Sequence, residues 1–196
     1  KQMSDVVIEG TVITAGAGAM LSSIASRAAA AELTGMEFAS GIPGSLGGAV
    51  VMNAGAYGGE MKDILQKVTV LTPDGTVQTL SVEELELSYR HSIIPEKGYL
   101  VISAVLKLQP GNADEIQSIM DDLKEKRVSK QPLEYPSAGS TFKRPEGYFA
   151  GKLIQDAGLR GFRVGGAQVS EKHCGFIINR DRATSTDICQ LMQQVS

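Results

Sequence analysis

The stretch that decides the fold of this chain reads Gly41-Ile-Pro-Gly-Ser-Leu-Gly-Gly-Ala-Val-Val-Met-Asn-Ala-Gly-Ala-Tyr-Gly-Gly-Glu60. Glycine is denser here than elsewhere, which favours unusual backbone conformations or close approach of the backbone to another group. Glycines also expose consecutive backbone N–H groups, and a helix that followed would add the positive end of its dipole. The stretch therefore predicts either a cradle for a pyrophosphate or a tight structural loop, and composition leaves both readings open.

Two common phosphate-binding loops are excluded by the residues themselves. The stretch has no Gly-Lys-Ser or Gly-Lys-Thr, as a P-loop requires. The G-x-G-x-x-G spacing of dinucleotide-binding folds fails here and also at Gly16-Ala-Gly18, because Leu21 stands in the place of the third glycine. Any phosphate site in this chain must follow another pattern.

The patterning on either side of this stretch predicts an α+β fold, because strands and helices alternate without a strict βαβ rhythm. Before the stretch we expect a hairpin, then a helix that Gly35 ends. After it we expect a hairpin around Pro73-Asp74-Gly75, a short helix and a long strand. In order, the predicted elements are strands Val6–Ile8 and Thr11–Thr14, a helix with Met20, Leu21, Ile24, Ala28 and Ala31 on one face, strands Val68–Thr72 and Val77–Ser81, a helix over Val82–Leu87, and a strand over Tyr99–Leu108.

A change of pattern near Pro110-Gly111 predicts a domain boundary, with the linker at Gln109–Ala113. We therefore expect one domain over residues 1–109 and a second over 110–196. The second begins with a helix that breaks at Gln131-Pro132. It continues with a loop over Pro132–Gly147, a helix over Phe149–Ala157 closed by Gly158, strands near Ala167–Ser170 and Gly175–Asn179, and a final helix capped by Thr184 and Asp187.

Composition excludes several classes of function. The 196-residue chain is 42% hydrophobic, enough to bury a core, and its formal net charge of -3 supplies no basic surface for nucleic acid. Its apolar runs are too short to span a bilayer, so we expect no membrane partner. Two cysteines, Cys174 and Cys189, and two histidines, His91 and His173, match no zinc spacing. We expect no metal, and we interpret the cysteines as reduced, half-buried thiols of a cytosolic protein.

Two further segments carry polar groups in loops. Ser88-Tyr89-Arg90-His91-Ser92 places an arginine, the best fork for a carboxylate or phosphate, in a polar turn, although a solvated arginine is the commoner outcome. Pro136-Ser-Ala-Gly-Ser-Thr-Phe-Lys-Arg-Pro145 surrounds Ser140 with small residues. A hydrolase triad has little support because histidines are few and G-x-S-x-G is absent. Ser140 is left as a proton donor or a turn cap.

These segments, with Gly165-Gly-Ala-Gln-Val-Ser170, resemble in order the motifs of UDP-N-acetylenolpyruvoylglucosamine reductases, the MurB family, in its shorter subclass. The resemblance implies the second subdomain of a vanillyl-alcohol-oxidase-type FAD-binding fold, followed by a MurB-type substrate-binding domain. It implies an oxidoreductase with FAD as cofactor and NADPH as hydride donor, which reduces UDP-N-acetylglucosamine enolpyruvate to UDP-N-acetylmuramate for the peptidoglycan of the cell wall. We accordingly expect a cytoplasmic protein, monomeric, with a sugar-nucleotide substrate.

The resemblance also implies residue roles. Arg90 would stabilise charge on the substrate carboxylate, and Ser140 would donate the proton. Substrate contacts are implied for Tyr89, Lys130, Arg144 and His173. FAD contacts are implied for Gly41, Ile42, Pro43, Gly44, Ser45, Gly47, Gly48, Asn53, Ala54 and Gly55.

Two parts of the family pattern are not found in this sequence. Family members begin with a first flavin subdomain, and they carry a catalytic glutamate in a Leu-Glu-Pro-Glu-like segment near the C-terminus. The final helix also has no stop signal before Ser196. We therefore expect truncation at both ends and weak FAD binding by the isolated chain. The alternative is a catalytically silent fragment or a nucleotide-binding module of the same fold, and a weaker one is another flavin oxidase.

Overall fold

A computed structural model of the protein describes residues 3–196. The chain forms two compact units, one that ends at Lys124 and one from Glu125 to Ser196. Both units combine helices with antiparallel strands, which confirms the predicted α+β class. Among the described residues, no helix is long and apolar enough to cross a membrane.

The first unit is built on a five-stranded antiparallel sheet with smaller two-stranded pieces beside it. Its strands are β1 (Val6–Glu9), β2 (Val12–Gly16), β3 (Leu33–Thr34), β4 (Gly55–Ala56), β5 (Gly59–Glu60), β6 (Leu65–Leu71), β7 (Val77–Ser81), β8 (Leu100–Lys107) and β9 (Gln109–Pro110). Its helices are α1 (Leu21–Ala30), α2 (Leu46–Val51) and α3 (Ala113–Lys130), and the division between the units falls within α3. The order in the large sheet is β1-β2-β8-β6-β7.

Burial follows the periods expected of each element. On β6, Val68 and Val70 alternate inward with exposed or half-buried neighbours. On α1, the buried residues recur at helical spacing: Leu21, Ile24, Ala25 and Ala28. The short helix α2 packs against β2 and β8 and buries Leu46, Ala49 and Val50. The sheet therefore fixes the glycine-rich segment from beneath.

Both predicted hairpins of the first unit are confirmed, and so is the long strand β8. Other boundaries were wrong. Helix α1 ends at Ala30, where Glu32 takes the positive φ (57°), and Gly35 follows β3. Residues Val82–Leu87 form turns rather than a helix. The segment predicted as a linker holds β9, which pairs with β3 of the first unit. The dipeptide Gln109-Pro110 carries no strand pattern of its own, and its partner β3 lies far away in sequence.

The second unit carries a four-stranded antiparallel sheet and two helices. Its strands are β10 (Ser137–Ser140), β11 (Arg163–Val164), β12 (Ala167–Val169) and β13 (Phe176–Asn179), and its helices are α4 (Ala150–Asp156) and α5 (Ser185–Val195). The sheet order is β10-β13-β12-β11. The predicted helices and the two central strands are confirmed, whereas the predicted loop over Pro132–Gly147 contains β10. That strand is rich in Ser, Ala and Gly, so its sequence carries no strand signal.

The capping box of α5 explains two glycines of the Gly165–Ser170 motif. Asp187 accepts the backbone N–H of Thr184 (2.8 Å) and that of Gly166 (3.4 Å), while Thr184 Oγ1 accepts the Asp187 N–H. A Cβ at Gly165 would lie 2.4 Å from Asp187 Oδ1, so only glycine fits there. The N–H of Thr184, above all, lowers the pKa of the Asp187 carboxyl below its ordinary value of 3.8.

Both cysteines carry free thiols, but neither is half-buried as predicted: Cys174 is buried and Cys189 is exposed. Residues 1 and 2, which belong to the predicted first domain, lie outside the described residues.

Candidate active site

Arg90 lies in a tight turn whose stems are held by hydrogen bonds. Ser88 and His91 exchange backbone N–H···O bonds of 3.2 Å on either side of Tyr89-Arg90. Arg90 takes a φ of +55°, which an L-residue with a bulky side chain adopts at a cost of roughly 1–2 kcal/mol. Strained backbone of this kind persists where the surroundings hold it and is concentrated at functional sites.

The guanidinium of Arg90 is held against the backbone of the glycine-rich segment. Nη2 donates to the Gly55 carbonyl (2.9 Å) and Nη1 to the Asn53 carbonyl (3.5 Å), and the group stacks 5.1 Å from the ring centroid of Tyr89. Arg90 is half-buried, whereas the Tyr89 side chain is 44% exposed. The structure thus brings together two segments that the sequence separates by more than thirty residues.

Asn53 anchors this arrangement at the end of α2. Its side chain is fully buried, and all of its polar atoms are used within the protein. Nδ2 donates to Glu60 Oε2 (2.8 Å) and to the Ser88 carbonyl (3.1 Å), and Oδ1 accepts the N–H of Lys62 (2.9 Å). The amide side chain of Asn53 is thus occupied within the protein, and the predicted FAD contact of Asn53 stays a prediction.

The glycine-rich segment does not form the open row of amides that composition suggested. The N–H groups of Leu46 and Gly47, in the first turn of α2, donate to the carbonyls of Ala19 (2.8 Å) and Ala17 (2.9 Å). A Cβ at Gly47 would lie 3.0 Å from that of Ala17, so this glycine serves close packing. The loop before α1 occupies these two amides, so a pyrophosphate cradle, which stays a prediction, would use other amides of the segment.

Two other glycines of this segment have free space where a side chain would be. Gly44 and Gly48 have ordinary backbone φ, and a Cβ at Gly44 would meet nothing within 4 Å, while one at Gly48 would meet only Ser45 Oγ at 3.8 Å. Neither turn geometry nor internal packing therefore requires glycine at these positions. Gly44 is half-buried and Gly48 is exposed, and neither has a side chain that would block a large planar or anionic group from approaching the backbone. These two residues therefore fit FAD. Gly41, Ile42, Pro43, Ser45 and Ala54 lie on the same segment.

Ser140 lies in the second unit, at the end of β10. Its side chain is exposed, and across the sheet its backbone is opposite Phe176. His173 lies beside this strand pair, where its ring meets Phe176 edge-on (4.9 Å between centroids) and its Nδ1 accepts the Gly175 N–H (3.1 Å). The second unit thus groups Ser140 with His173 through Phe176.

The remaining substrate-contact candidates present cations at the surface of the second unit. Lys130 is exposed as the last residue of α3, and the Arg144 guanidinium stacks 4.5 Å from the ring centroid of Phe149. Near Lys130, the ammonium of Lys172 donates to the Val128 carbonyl (2.7 Å) and so caps the end of α3. Among residues 3–196, no three His, Cys, Asp or Glu side chains are grouped as a metal site.

Sequence reasoning missed three residues that support these groups. Ser92 is buried and donates its Oγ–H to the Val51 carbonyl (2.7 Å), Glu60 accepts from Asn53, and Lys172 caps α3. Ser92 and Glu60 stood inside the quoted motifs, so the signal was present. A polar residue in a loop does not reveal by its type whether it faces solvent or the backbone of a distant segment.

Comparisons with known proteins follow the same two-part division. Residues 1–81 match the family described as FAD binding domain, and residues 131–196 match the UDP-N-acetylenolpyruvoylglucosamine reductase C-terminal domain. Arg90 and Lys130 lie between the two matches. FAD is thus the cofactor that the first match indicates.

Relatives match along nearly the whole chain. It is 67% identical over 184 residues to the UDP-N-acetylenolpyruvoylglucosamine reductase of Agathobacter rectalis, covering 94% of this chain and 59% of the relative. It is 56% identical to that of Enterococcus faecalis, covering 99% and 65%. The crystal structure of the Thermus caldophilus reductase (MurB) matches with a TM-score of 0.85 and 40% identity over 93% of this chain and 67% of that one.

The chain belongs to the UDP-N-acetylenolpyruvoylglucosamine reductase family. It spans 59% to 65% of the length of these two curated relatives. Membership of the MurB family confirms the resemblance on which the sequence-based roles rest. The roles of individual residues stay predictions.

Proposed function

We propose that this chain carries out, as part of a MurB-type enzyme, the NADPH-dependent and FAD-mediated reduction of UDP-N-acetylglucosamine enolpyruvate to UDP-N-acetylmuramate. One observation carries the proposal. The Arg90 guanidinium is held against the backbone of Asn53 and Gly55, in the segment whose open glycines fit a flavin. A fixed cation beside a flavin-binding segment is what hydride addition to an unsaturated carboxylate requires.

Bound FAD would supply the hydride chemistry that connects NADPH to the substrate's vinyl carbon. The protein's part is to hold the cofactor and to exclude competing groups. We assign this to the backbone at Gly44 and Gly48, where no side chain blocks approach, and to the neighbouring Gly41–Ser45 loop. Residues to about 124 would then be the flavin-binding part, and the second unit would be the substrate-binding part.

Arg90 stabilises the transition state rather than the ground state. When hydride adds to the vinyl carbon, negative charge passes into the carboxylate and its neighbouring carbon as an enolate. Two N–H groups of Arg90 are used to hold it on the Asn53 and Gly55 carbonyls, and a guanidinium has five. The others can meet a carboxylate without the side chain having to order itself during the reaction.

Ser140 is the proposed donor of the proton that completes the reduction. The enolate carbon must be protonated, and the exposed Oγ–H of Ser140 is accessible to a substrate. A serine hydroxyl is a weak acid, so it needs a polarising neighbour, and Lys143 or a bound water can serve. The hydroxyl is then re-protonated from solvent.

Each unit presents groups that suit a sugar nucleotide. Lys130 and Arg144 present positive charge for a diphosphate or carboxylate, and Tyr89 presents an exposed ring. His173 is a weaker contact because its Nδ1 already accepts from Gly175. The free thiols support a cytoplasmic location, where the enzyme would act in peptidoglycan synthesis and cell wall biogenesis and thus in cell shape and division, and a monomer stays a prediction.

An anaerobic assay tests the proposal. Because we expect weak FAD binding by the isolated chain, the purified protein is mixed with UDP-N-acetylglucosamine enolpyruvate in a large excess of FAD and NADPH, and mass spectrometry detects UDP-N-acetylmuramate. We expect product from the wild type. We expect Ser140→Ala to keep flavin bleaching by NADPH but to lose product. A protein that binds FAD or nucleotide and never forms product would instead support the silent module.

A further inference from the structure

Asn53 connects both parts of the Arg90 turn to one support. Its buried amide donates to the Ser88 carbonyl, at the first stem of the turn, while its own carbonyl accepts from the Arg90 guanidinium. Asn53 takes a φ of +38°, a conformation that asparagine tolerates better than most side chains. Asn53 thus holds both the first stem of the turn and the guanidinium of Arg90.

The second stem is held on the same helix end. Ser92, buried, donates to the Val51 carbonyl, so the two stems of the turn are tied to the last residues of α2. Helix α2 in turn packs on β2 and β8. The strained φ of Arg90 is therefore maintained by a rigid element rather than by the turn alone.

Asn53 also binds the carboxylate of Glu60. Glu60 is opposite Gly55 in the β4–β5 pair, and the Gly55 carbonyl accepts from Arg90, so Glu60 belongs to the same small cluster. Its two oxygens are engaged by Asn53 Nδ2 and by the Lys62 ammonium (2.5 Å). Held this way, Glu60 does not neutralise the Arg90 cation, which stays available for a carboxylate of the substrate.

We propose that Asn53 is a positioning residue for Arg90: its amide holds the base of the turn and occupies Glu60, and its carbonyl holds the guanidinium. The inference rests on the proposed role of Arg90. It differs from the predicted role of Asn53 as a flavin contact, because it assigns the side chain to the arginine and leaves FAD affinity unaffected.

The first test needs no cofactor. In a ¹⁵N-labelled protein, the Arg90 Nε–Hε resonance is assigned by its loss in Arg90→Lys, and its heteronuclear NOE reports order. We expect an ordered side chain in the wild type and a mobile one in Asn53→Asp, which keeps size but removes both donors. Asn112→Asp is the matched control, since at the start of α3 that residue only accepts N–H groups, from Asp114 and Glu115. An equally ordered Arg90 in Asn53→Asp would overturn the proposal.

The second test is a double-mutant cycle on single-turnover rates. We expect Asn53→Asp to slow substrate reduction roughly 30-fold when Arg90 is present and less than about 3-fold in the Arg90→Lys background, because coupled residues are not additive. Flavin reduction by NADPH and FAD affinity should change by less than about 3-fold. Equal losses in both backgrounds, or a loss of FAD binding, would contradict a positioning role.

If Asn53→Asp does not fold, Ser92→Ala removes the tie at the other stem, and we expect the Arg90 resonance to become more mobile there too. An unchanged Arg90 resonance in a folded Ser92→Ala protein would contradict the inference that the hydrogen bonds at the two stems of the turn order the Arg90 side chain. A wild type that shows no substrate reduction would disprove the proposed function, while the resonance would still decide whether Asn53 orders Arg90.

Discussion

Arg90 and Ser140, the two residues proposed to touch the reacting atoms, are held in opposite ways. Arg90 is half-buried in a strained turn that Asn53 and Ser92 tie to the end of α2. Ser140 is exposed on β10, where the strand pairs with β13.

The difference follows from what each residue has to do. A cation that stabilises developing charge is effective when it is oriented in advance, so that no reorganisation occurs during the step. A proton donor has only to reach one carbon and be refilled from water, so exposure helps it. A strained backbone and buried hydrogen bonds therefore hold Arg90 and not Ser140. We accordingly expect substitutions in the Arg90 region to lower both stability and reaction rate, and substitution of Ser140 to lower the rate alone.

The largest effect is expected at Arg90. Arg90→Lys keeps the charge but loses the planar fork, so we expect turnover to fall by roughly 10²-fold or more, the scale of losing a preorganised donor. Steady-state NADPH oxidation in the presence of substrate measures this. Arg27→Lys, at an exposed position of α1, is the control and should turn over at the wild-type rate.

Substitutions at Asn53 and Ser140 should differ in their effect on the free energy of unfolding. Asn53→Ala removes three hydrogen bonds made by a fully buried side chain and should lower the free energy of unfolding by about 2–4 kcal/mol. Ser140→Ala should change it by less than about 0.5 kcal/mol, because its side chain is exposed. Urea denaturation measures both. Equal losses would mean that the two residues are held alike.

Two neighbouring glycines of the flavin segment are expected to respond to alanine in opposite ways. Gly47→Ala should destabilise the protein by about 1–2 kcal/mol because its Cβ meets Ala17. Gly48→Ala should stabilise it by about 0.5–1 kcal/mol, since alanine favours a helix and the space is open. We nevertheless expect Gly48→Ala to weaken FAD binding, measured by flavin fluorescence titration. Unchanged affinity would show that Gly48 does not face the cofactor.

The smallest effect is expected far from both groups, at Asp187. Its lowered folded pKa means that its ionised form stabilises the native state above pH 3.8, and this contribution is lost as the pH falls through the folded pKa. Asp187→Asn should therefore lower the Tm slightly at pH 7, and the difference should shrink below pH 3.8. A constant Tm difference across that range would contradict the assignment.

Local patterns predicted much of the fold. Both hairpins, α1, α4 and the α5 capping box appear where hydrophobic period and turn residues put them. Two of the misses share one cause: β9 and β10 exist because distant partners pair with them, and neither Gln-Pro nor Ser-Ala-Gly-Ser favours a strand.

The site divides in the same way. Residue chemistry singled out Arg90 and Ser140, but Arg90 was also compatible with a solvated surface position. The partners that fix it, Asn53 and Ser92, depend on contacts across 35 and 41 residues. No local pattern encodes which carbonyl a buried amide meets.

Anaerobic stopped-flow absorbance follows the reduction of the flavin and the reduction of the substrate separately, and so tests whether Arg90, held at the end of α2, serves the second of these two steps. The wild type should lose its yellow colour with NADPH and regain it when UDP-N-acetylglucosamine enolpyruvate is added. Arg90→Lys should bleach at a similar rate and regain colour at least about 100-fold more slowly. Equal slowing of both steps, or a wild type that never regains its colour, would contradict the account.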